Sequence, residues 1–151
     1  MTRSGRIVNG LAIGVMLAVS PAAAVLADDQ DVIDYRQHVM KTMEEQTAAI
    51  EMILQNKAPP EHFAIHVKIL AISAAMAKKA FEPKVEGGNS KPQTWTNWPD
   101  FSKRLDALAA ATDELAKTAA AGGVTAAGSK VQGALTCKAC HDLYLAPKKT
   151  P

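Results

Sequence analysis

The chain has 151 residues, of which 48% are hydrophobic and 21% charged, as in an ordinary globular protein of one domain. Only 5% of the residues are aromatic, while alanine is abundant after residue 70, so the composition favours helices over sheets. The formal net charge is +2, and no basic run is interleaved with aromatic residues, which argues against a nucleic-acid-binding protein.

Residues 1–27 have the composition of a secretory signal peptide, with two arginines, an apolar stretch and small residues at the end. The apolar stretch is shorter than the roughly 20 residues that span a membrane. We expect cleavage after Ala27, with Ala24 as the near alternative, and a mature chain of residues 28–151 in the periplasm without a membrane span. Removal of the two arginines leaves 15 basic and 15 acidic residues, so the mature chain is formally neutral.

Four helical patterns follow the signal peptide, each closed by glycine, proline or asparagine. Apolar residues recur at spacings of three and four, and the longest connection is a loop predicted over residues 82–98. No useful stretch alternates with the period of a strand. The sequence therefore predicts an all-α protein, an antiparallel up-down-up-down four-helix bundle. Its predicted helices span about 31–56, 61–81, 99–121 and 124–146.

The only two cysteines of the chain, Cys137 and Cys140, lie in the sequence C-K-A-C-H, which ends at His141. This is the C-x-x-C-H pattern of c-type haem attachment. Helix positions three and four apart share a face, so both thiols and the imidazole can address one flat ligand. The thiols can form thioether bonds to the porphyrin vinyl groups, and His141 can bind the iron as the proximal ligand. We predict one covalently bound haem c.

Two haem-free alternatives remain open for these cysteines. They could form a disulfide or a C-x-x-C dithiol oxidoreductase site in an oxidising compartment. A structural zinc site would need four ligands, and no second Cys/His pair stands at the spacing of a zinc finger. The histidine that directly follows Cys140 favours haem attachment over a disulfide or a dithiol site.

Three stretches resemble the class II c-type cytochromes, the group of cytochrome c′ and cytochrome c556. They are Y-R-Q-H-V-M-K at residues 35–41, K-P-Q-T-W at residues 91–95 and C-K-A-C-H-D at residues 137–142. The resemblance extends from Asp31 to Ala146. It implies a four-helix bundle with the haem buried between helices and one haem edge near solvent.

The resemblance also assigns roles to five residues. It makes Cys137 and Cys140 the thioether anchors and His141 the proximal iron ligand. It places Arg36 near the haem propionates, where its guanidinium suits carboxylates. It puts Met40 at the distal position facing the iron, as a candidate second axial ligand.

The function that the resemblance implies depends on this distal residue. Coordination by Met40 gives a low-spin iron suited to single-electron transfer between redox proteins, and this is our prediction. A Met40 that only packs over the haem leaves an open position for nitric oxide or another small diatomic gas. In either case the protein is predicted to be a carrier or binder rather than an enzyme, and the resemblance allows a homodimer. One departure is Leu145, since related chains often carry arginine or lysine four residues beyond the histidine.

Overall fold

The computed structural model describes residues 28–147, so the predicted signal peptide and the last four residues lie outside the described part of the chain. These residues fold as helices, which confirms the all-α prediction. The helices are α1 (Asp29–Leu54), α2 (Phe63–Phe81), α3 (Gln93–Thr96), α4 (Trp98–Ala127), α5 (Val131–Ala134) and α6 (Cys137–Tyr144). Within residues 28–147, no helix combines the length and the hydrophobicity that a membrane span needs.

Helix α1 begins at a capping box. The Asp28 carboxylate accepts a hydrogen bond from the backbone N–H of Asp31, and the Asp31 carboxylate accepts one from the backbone N–H of Asp28. These reciprocal bonds satisfy donors that a helix start leaves free. The helix ends at Leu54, and Asn56 follows with a φ of 57°, a left-handed conformation that asparagine tolerates. The predicted bounds of this helix therefore hold to within two residues.

The hydrophobic core lies between α1, α2 and α4. Most of its side chains come from the apolar stripes of the predicted helices, and several of them are shielded from solvent almost completely. The most deeply buried large members are Ile50, Phe63, Val67 and Leu70, none more than 2% exposed. Burial of each such side chain contributes about 1.5–3 kcal/mol, so these three helices form the rigid part of the bundle.

The fourth segment of the bundle is not the single helix predicted over residues 124–146. Gly122 and Gly123 leave helical geometry inside α4, and Gly123 has a φ of 57°. A 3₁₀ turn at Gly128–Lys130, the short α5 and a break at Leu135 and Thr136 then precede α6. The prediction was wrong because Gly128 and Gly133, which lie inside the predicted range, cost helix stability, and the apolar spacing alone does not reveal this.

An aromatic junction (Phe81, Trp95, Phe101 and Tyr144) joins four helices at one end of the bundle. The Phe101 ring packs edge-on against Phe81 and Tyr144, with centroids 5.1 and 4.9 Å away. The indole N–H of Trp95 donates to the buried carbonyl of Phe81 at 3.2 Å. Helix α3, which the sequence analysis assigned to a loop, places Trp95 in this junction. Through Tyr144, the junction also fixes the end of α6.

Candidate haem site

Helix α6 carries the C-x-x-C-H sequence and begins at its first cysteine. Cys140 is half-buried and packs against the hydrophobic core, whereas Cys137 and His141 are exposed. The spacing of three and four residues on a helix puts these three side chains on neighbouring positions of one face. One side of α6 can therefore offer two thiols and an imidazole to a planar ligand.

The end of α6 is fastened to the loop before α3. The backbone N–H of Lys91 donates to the carbonyl of Tyr144 at 2.9 Å, and that of Ala146 donates to Asn89 at 2.8 Å. The Lys91 ammonium also donates to the carbonyl of Asp142 at 3.1 Å. The two bonds from Lys91 satisfy carbonyls that the end of α6 leaves without intrahelical partners. They hold the C-x-x-C-H helix against the rest of the bundle.

A polar cluster, here called the Asp100 bridge (Arg104, Asp100 and Tyr144), ties α6 to α4. The hydroxyl of the buried Tyr144 donates to Asp100 Oδ2 at 2.5 Å, and Arg104 Nε donates to the same oxygen at 2.6 Å. The side chain of Asn97 donates to the Tyr144 hydroxyl at 3.2 Å. Tyr144 lies 40 or more positions along the chain from Asp100 and Arg104. The sequence did not predict the bridge, because only the Asp100–Arg104 spacing is local.

The pKa values of the bridge shift in the directions that these bonds require. Hydrogen bonds from Arg104 and Tyr144 lower the pKa of Asp100, since they stabilise its charged form. Desolvation, followed by the hydrogen bond to Asp100, raises the pKa of Tyr144. The hydrogen bond to Asp100 raises the pKa of Arg104. At neutral pH the bridge therefore consists of a carboxylate, a guanidinium and a neutral phenol.

The lowered pKa of Asp100 predicts a loss of stability in acid. A carboxylate with a folded-state pKa below its unfolded value of about 3.9 stabilises the fold above that value and loses this contribution as pH falls through the folded pKa. Wild type should therefore exceed Asp100→Asn in free energy of unfolding at about pH 7, and the difference should shrink below about pH 4. Urea unfolding of both proteins across this range measures it, and a constant difference would contradict the prediction.

Arg36 lies in α1 with only 1% of its surface exposed. Its Nη1 donates to the carbonyl of Val85 at 2.5 Å and its Nη2 to that of Gly87 at 2.7 Å. The guanidinium carbon lies 4.8 Å from the Trp95 ring centroid and 5.6 Å from that of Phe81. Arg36 thus connects α1 to the same loop that fastens α6.

The surroundings of Arg36 leave its charge uncompensated. Its buried Nε has no hydrogen-bond partner among the described residues, and desolvation lowers its pKa. Within residues 28–147 no carboxylate forms an ion pair with it, and a buried cation without an anion is costly. The hydroxyl of Thr94, next to Trp95, is also buried and has no hydrogen-bond partner among the described residues. This environment fits an anionic group such as a haem propionate.

Met40 stands one helical turn after Arg36 on α1. It is half-buried and packs against the hydrophobic core. Positions four apart share a helix face, so the candidate propionate partner and the candidate distal residue lie along the same side of α1. Leu145, the departure from the family pattern, directly follows α6 and is exposed, and its side chain carries no charge.

The two thiols lack the properties of a redox dithiol. Desolvation raises the pKa of Cys137 and of Cys140, although Arg104 acts in the lowering direction on Cys140. Reactive C-x-x-C sites show the opposite shift, because the thiolate is the attacking form. The raised pKa values of both thiols therefore argue against a reactive dithiol at this position.

A helical bundle that ends in a C-x-x-C-H helix defines a class II c-type cytochrome. The family model described as Cytochrome C' matches residues 31–144, so this chain belongs to the cytochrome c′ family. Members of the family bind haem c covalently, and the protein is accordingly a monohaem c-type cytochrome with a four-helix-bundle fold. The predicted family, fold and cofactor are thus confirmed, and the haem-free dithiol alternative is wrong.

The chain is similar to cytochrome c′ proteins of Alcaligenes. The chain is 30% identical over 125 residues to cytochrome c′ of Alcaligenes xylosoxydans xylosoxydans, which covers 78% of this chain and 95% of that protein. A solved nitric oxide complex of a point variant from Alcaligenes xylosoxidans shares 28% identity and a TM-score of 0.69, covering 81% of this chain and 99% of that one. A carbon monoxide-bound variant also has 28% identity and a TM-score of 0.69, covering 80% and 98%.

Proposed function

We propose that the protein carries single electrons through a haem held by α6, with Cys137 and Cys140 as thioether anchors and His141 as the proximal ligand. The observation that carries this proposal is the placement of the whole C-x-x-C-H sequence on one short helix that is fastened to the bundle at its far end. The bound haem supplies one-electron chemistry by cycling between ferric and ferrous iron. The proposed role is that of an electron carrier and not of an enzyme.

Arg36 is proposed to receive a haem propionate. Its guanidinium is buried, uses two of its nitrogen atoms for loop carbonyls and keeps Nε without a partner among the described residues. An anion there would satisfy that donor and balance the buried charge. The same residue would then hold both the loop that fastens α6 and the polar edge of the haem.

Met40 is proposed as the distal iron ligand. A thioether is a soft ligand, and Met/His ligation raises the reduction potential of a haem. With His141 and Met40 both bound, the iron would keep the same ligands in both oxidation states, which would suit electron transfer. The half-buried position of Met40 on the side of α1 that also carries Arg36 supports this assignment.

Substitution of Met40 by leucine tests the proposal. We expect wild-type ferric protein to be low-spin with a methionine–iron charge-transfer band, and Met40→Leu to lose that band and become high-spin, since leucine has no donor atom. Met43→Leu is the matched control, because Met43 is a buried core residue of the same helix. Visible absorption of both purified variants gives the answer. An unchanged ligation state in Met40→Leu would show that Met40 does not bind the iron.

A second candidate function is the binding of nitric oxide or another small diatomic gas at an open iron position. The nitric oxide and carbon monoxide complexes of the Alcaligenes proteins favour it. In that case Met40 only packs over the haem, and wild type and Met40→Leu are both high-spin. Direct titration of the ferrous wild type with nitric oxide then yields a complex without prior loss of a protein ligand.

The site of action is proposed to be the periplasm, since residues 1–27 have the composition of an export signal. Haem c attachment follows translocation, which agrees with an exported chain. The partners are redox proteins that exchange one electron, and a homodimer remains a prediction of the resemblance.

A further inference from the structure

The orientation of α6 depends on few contacts. The helix has eight residues, too short to be stable by itself, so its direction and rotation come from its attachments. Its backbone is fastened near Tyr144 and Asp142 by the loop at Lys91. Among the described residues, no hydrogen bond reaches the His141 imidazole itself. The imidazole therefore takes its orientation from the helix that carries it.

Tyr144 is the side chain that fixes the rotation of α6. It lies three residues after His141, about one turn along the same face, and only 5% of its surface is exposed. The Phe101 ring 4.9 Å away holds the plane of its ring, and the Asp100 bridge holds its hydroxyl. A buried aromatic side chain fixed at both its ring and its hydroxyl leaves the helix little freedom to turn.

Asp100 is itself held in place by a second bond. Arg104, one turn further along α4, donates to the oxygen that accepts from Tyr144. The charges of Arg104 and Asp100 also act on Cys140, so the bridge lies beside the thioether anchor and not only at the helix end. The bridge thus links the start of α4 to the part of α6 that surrounds His141.

We propose that Asp100 is a positioning residue for the axial histidine: by accepting the hydrogen bond of Tyr144, it fixes the rotation of α6 and so the orientation of the His141 imidazole relative to the haem. The inference deepens the proposed function and rests on its assignment of His141 as the axial ligand. The residues of the bridge bind no iron. They act through the helix.

The test uses the haem-loaded ferric protein and three variants: Asp100→Asn, Tyr144→Phe and the double variant. The spread of the hyperfine-shifted haem methyl resonances in proton NMR reports the orientation of an axial imidazole. We expect both single variants to change this spread, and the double variant to change it no further than Tyr144→Phe, because Tyr144→Phe removes the hydrogen bond and Asp100→Asn leaves only a weaker, neutral amide acceptor for it. Asp106→Asn is the matched control, since Asp106 lies on α4 but pairs with Lys78 at 2.7 Å.

The reduction potential separates positioning from simple charge. Loss of the Asp100 carboxylate raises the potential electrostatically, whereas Tyr144→Phe changes no charge at neutral pH. We expect Tyr144→Phe nevertheless to change the ferric-to-ferrous ratio at fixed potential about threefold, which is about 28 mV at 59 mV per tenfold for one electron. A potential that moves in Asp100→Asn and not in Tyr144→Phe would overturn the proposal.

A third measurement examines the bridge directly. In a Tyr35→Phe background, Tyr144 is the only tyrosine left, and its phenolate can be followed by ultraviolet absorbance. When Asp100→Asn is added to this background, Tyr144 should ionise at lower pH than in Tyr35→Phe alone, because the hydrogen bond to Asp100 raises the pKa of this phenol. An unchanged titration would show that the bridge does not form in solution and would overturn the proposal.

A milder variant covers the case in which Tyr144→Phe retains no haem. Arg104→Gln frees the Asp100 carboxylate but keeps all the aromatic packing, and we expect a smaller change of the methyl spread in the same direction. Unchanged methyl shifts in Arg104→Gln would then overturn the proposal. If the wild type itself shows no axial-histidine resonances, the proposed function fails. If the wild type shows them and the variants leave them unmoved, only the positioning role fails.

Discussion

Replacement of both Cys137 and Cys140 by alanine is expected to abolish covalent haem attachment. The two thiols are the only ones in the chain, so no other side chain can form a thioether to the porphyrin vinyl groups. Each single variant keeps one thiol and should retain haem through one bond, with a lower yield of loaded protein. Mass measurement of the mature product under denaturing conditions distinguishes bare polypeptide from the haem adduct.

The position of Cys140 predicts which of the two single variants loses more haem. Cys140 is half-buried against the hydrophobic core and lies next to Arg104 and Asp100, whereas Cys137 is exposed at the first position of α6. A thioether at Cys140 would be held by the packed side of the helix, so we expect Cys140→Ala to lose more haem than Cys137→Ala. The reverse order would show that the packed side of α6 does not direct attachment.

Lys138→Ala is the matched control for these variants. Lys138 lies between the two cysteines, is exposed, and pairs with Asp142 of the same helix at 2.7 Å. Surface pairs of this kind contribute about 0.3–0.5 kcal/mol, so its removal should leave haem content unchanged. A full haem adduct in the double cysteine variant would contradict the covalent site altogether.

The sequence predicted α1, α2 and the main part of α4 well because their stability comes from periodic apolar stripes. Residues such as Ile50, Phe63 and Leu70 recur at helical spacing and are buried where that spacing places them. The C-x-x-C-H sequence predicted the cofactor for a similar reason, since the chemistry lies in neighbouring residues. Local patterns of this kind can be recognised without a structure.

The parts that could not be predicted depend on contacts between distant residues. Nothing near Arg36 indicates that its donors reach the carbonyls of Val85 and Gly87, 49 and 51 positions away. The bond between Tyr144 and Asp100 spans 44 positions. The break before α6 depends on how glycine-rich turns fold against the bundle, and apolar spacing does not encode it. Such features follow from tertiary packing, which a single sequence reveals only in part.

Substitution of Arg36 by alanine is the second change with a large expected effect. The variant loses two charge-assisted hydrogen bonds and the stacking on Trp95, and it leaves two loop carbonyls without donors. One charge-assisted bond contributes about 1.5–3 kcal/mol and a cation–π contact about 0.5–2 kcal/mol, part of which the relief of burying the cation offsets. We expect haem-loaded Arg36→Ala to lose about 3 kcal/mol of the free energy of unfolding.

The loss of stability in Arg36→Ala should be accompanied by release of the loop that fastens α6. Hydrogen exchange at the Lys91 amide, which donates to Tyr144, should quicken in Arg36→Ala, since its loop is no longer held to α1. Arg36→Lys keeps the charge but cannot fork between two carbonyls, so it should fall between wild type and alanine. Lys41→Ala is the control, because the pairs of Lys41 with Glu44 and Glu45 are exposed, and its removal should leave the free energy of unfolding nearly unchanged. If urea unfolding gave Arg36→Ala and Lys41→Ala the same stability, α1 would not hold the loop through this side chain, and the link from α1 to the haem-binding helix would have to come from other contacts.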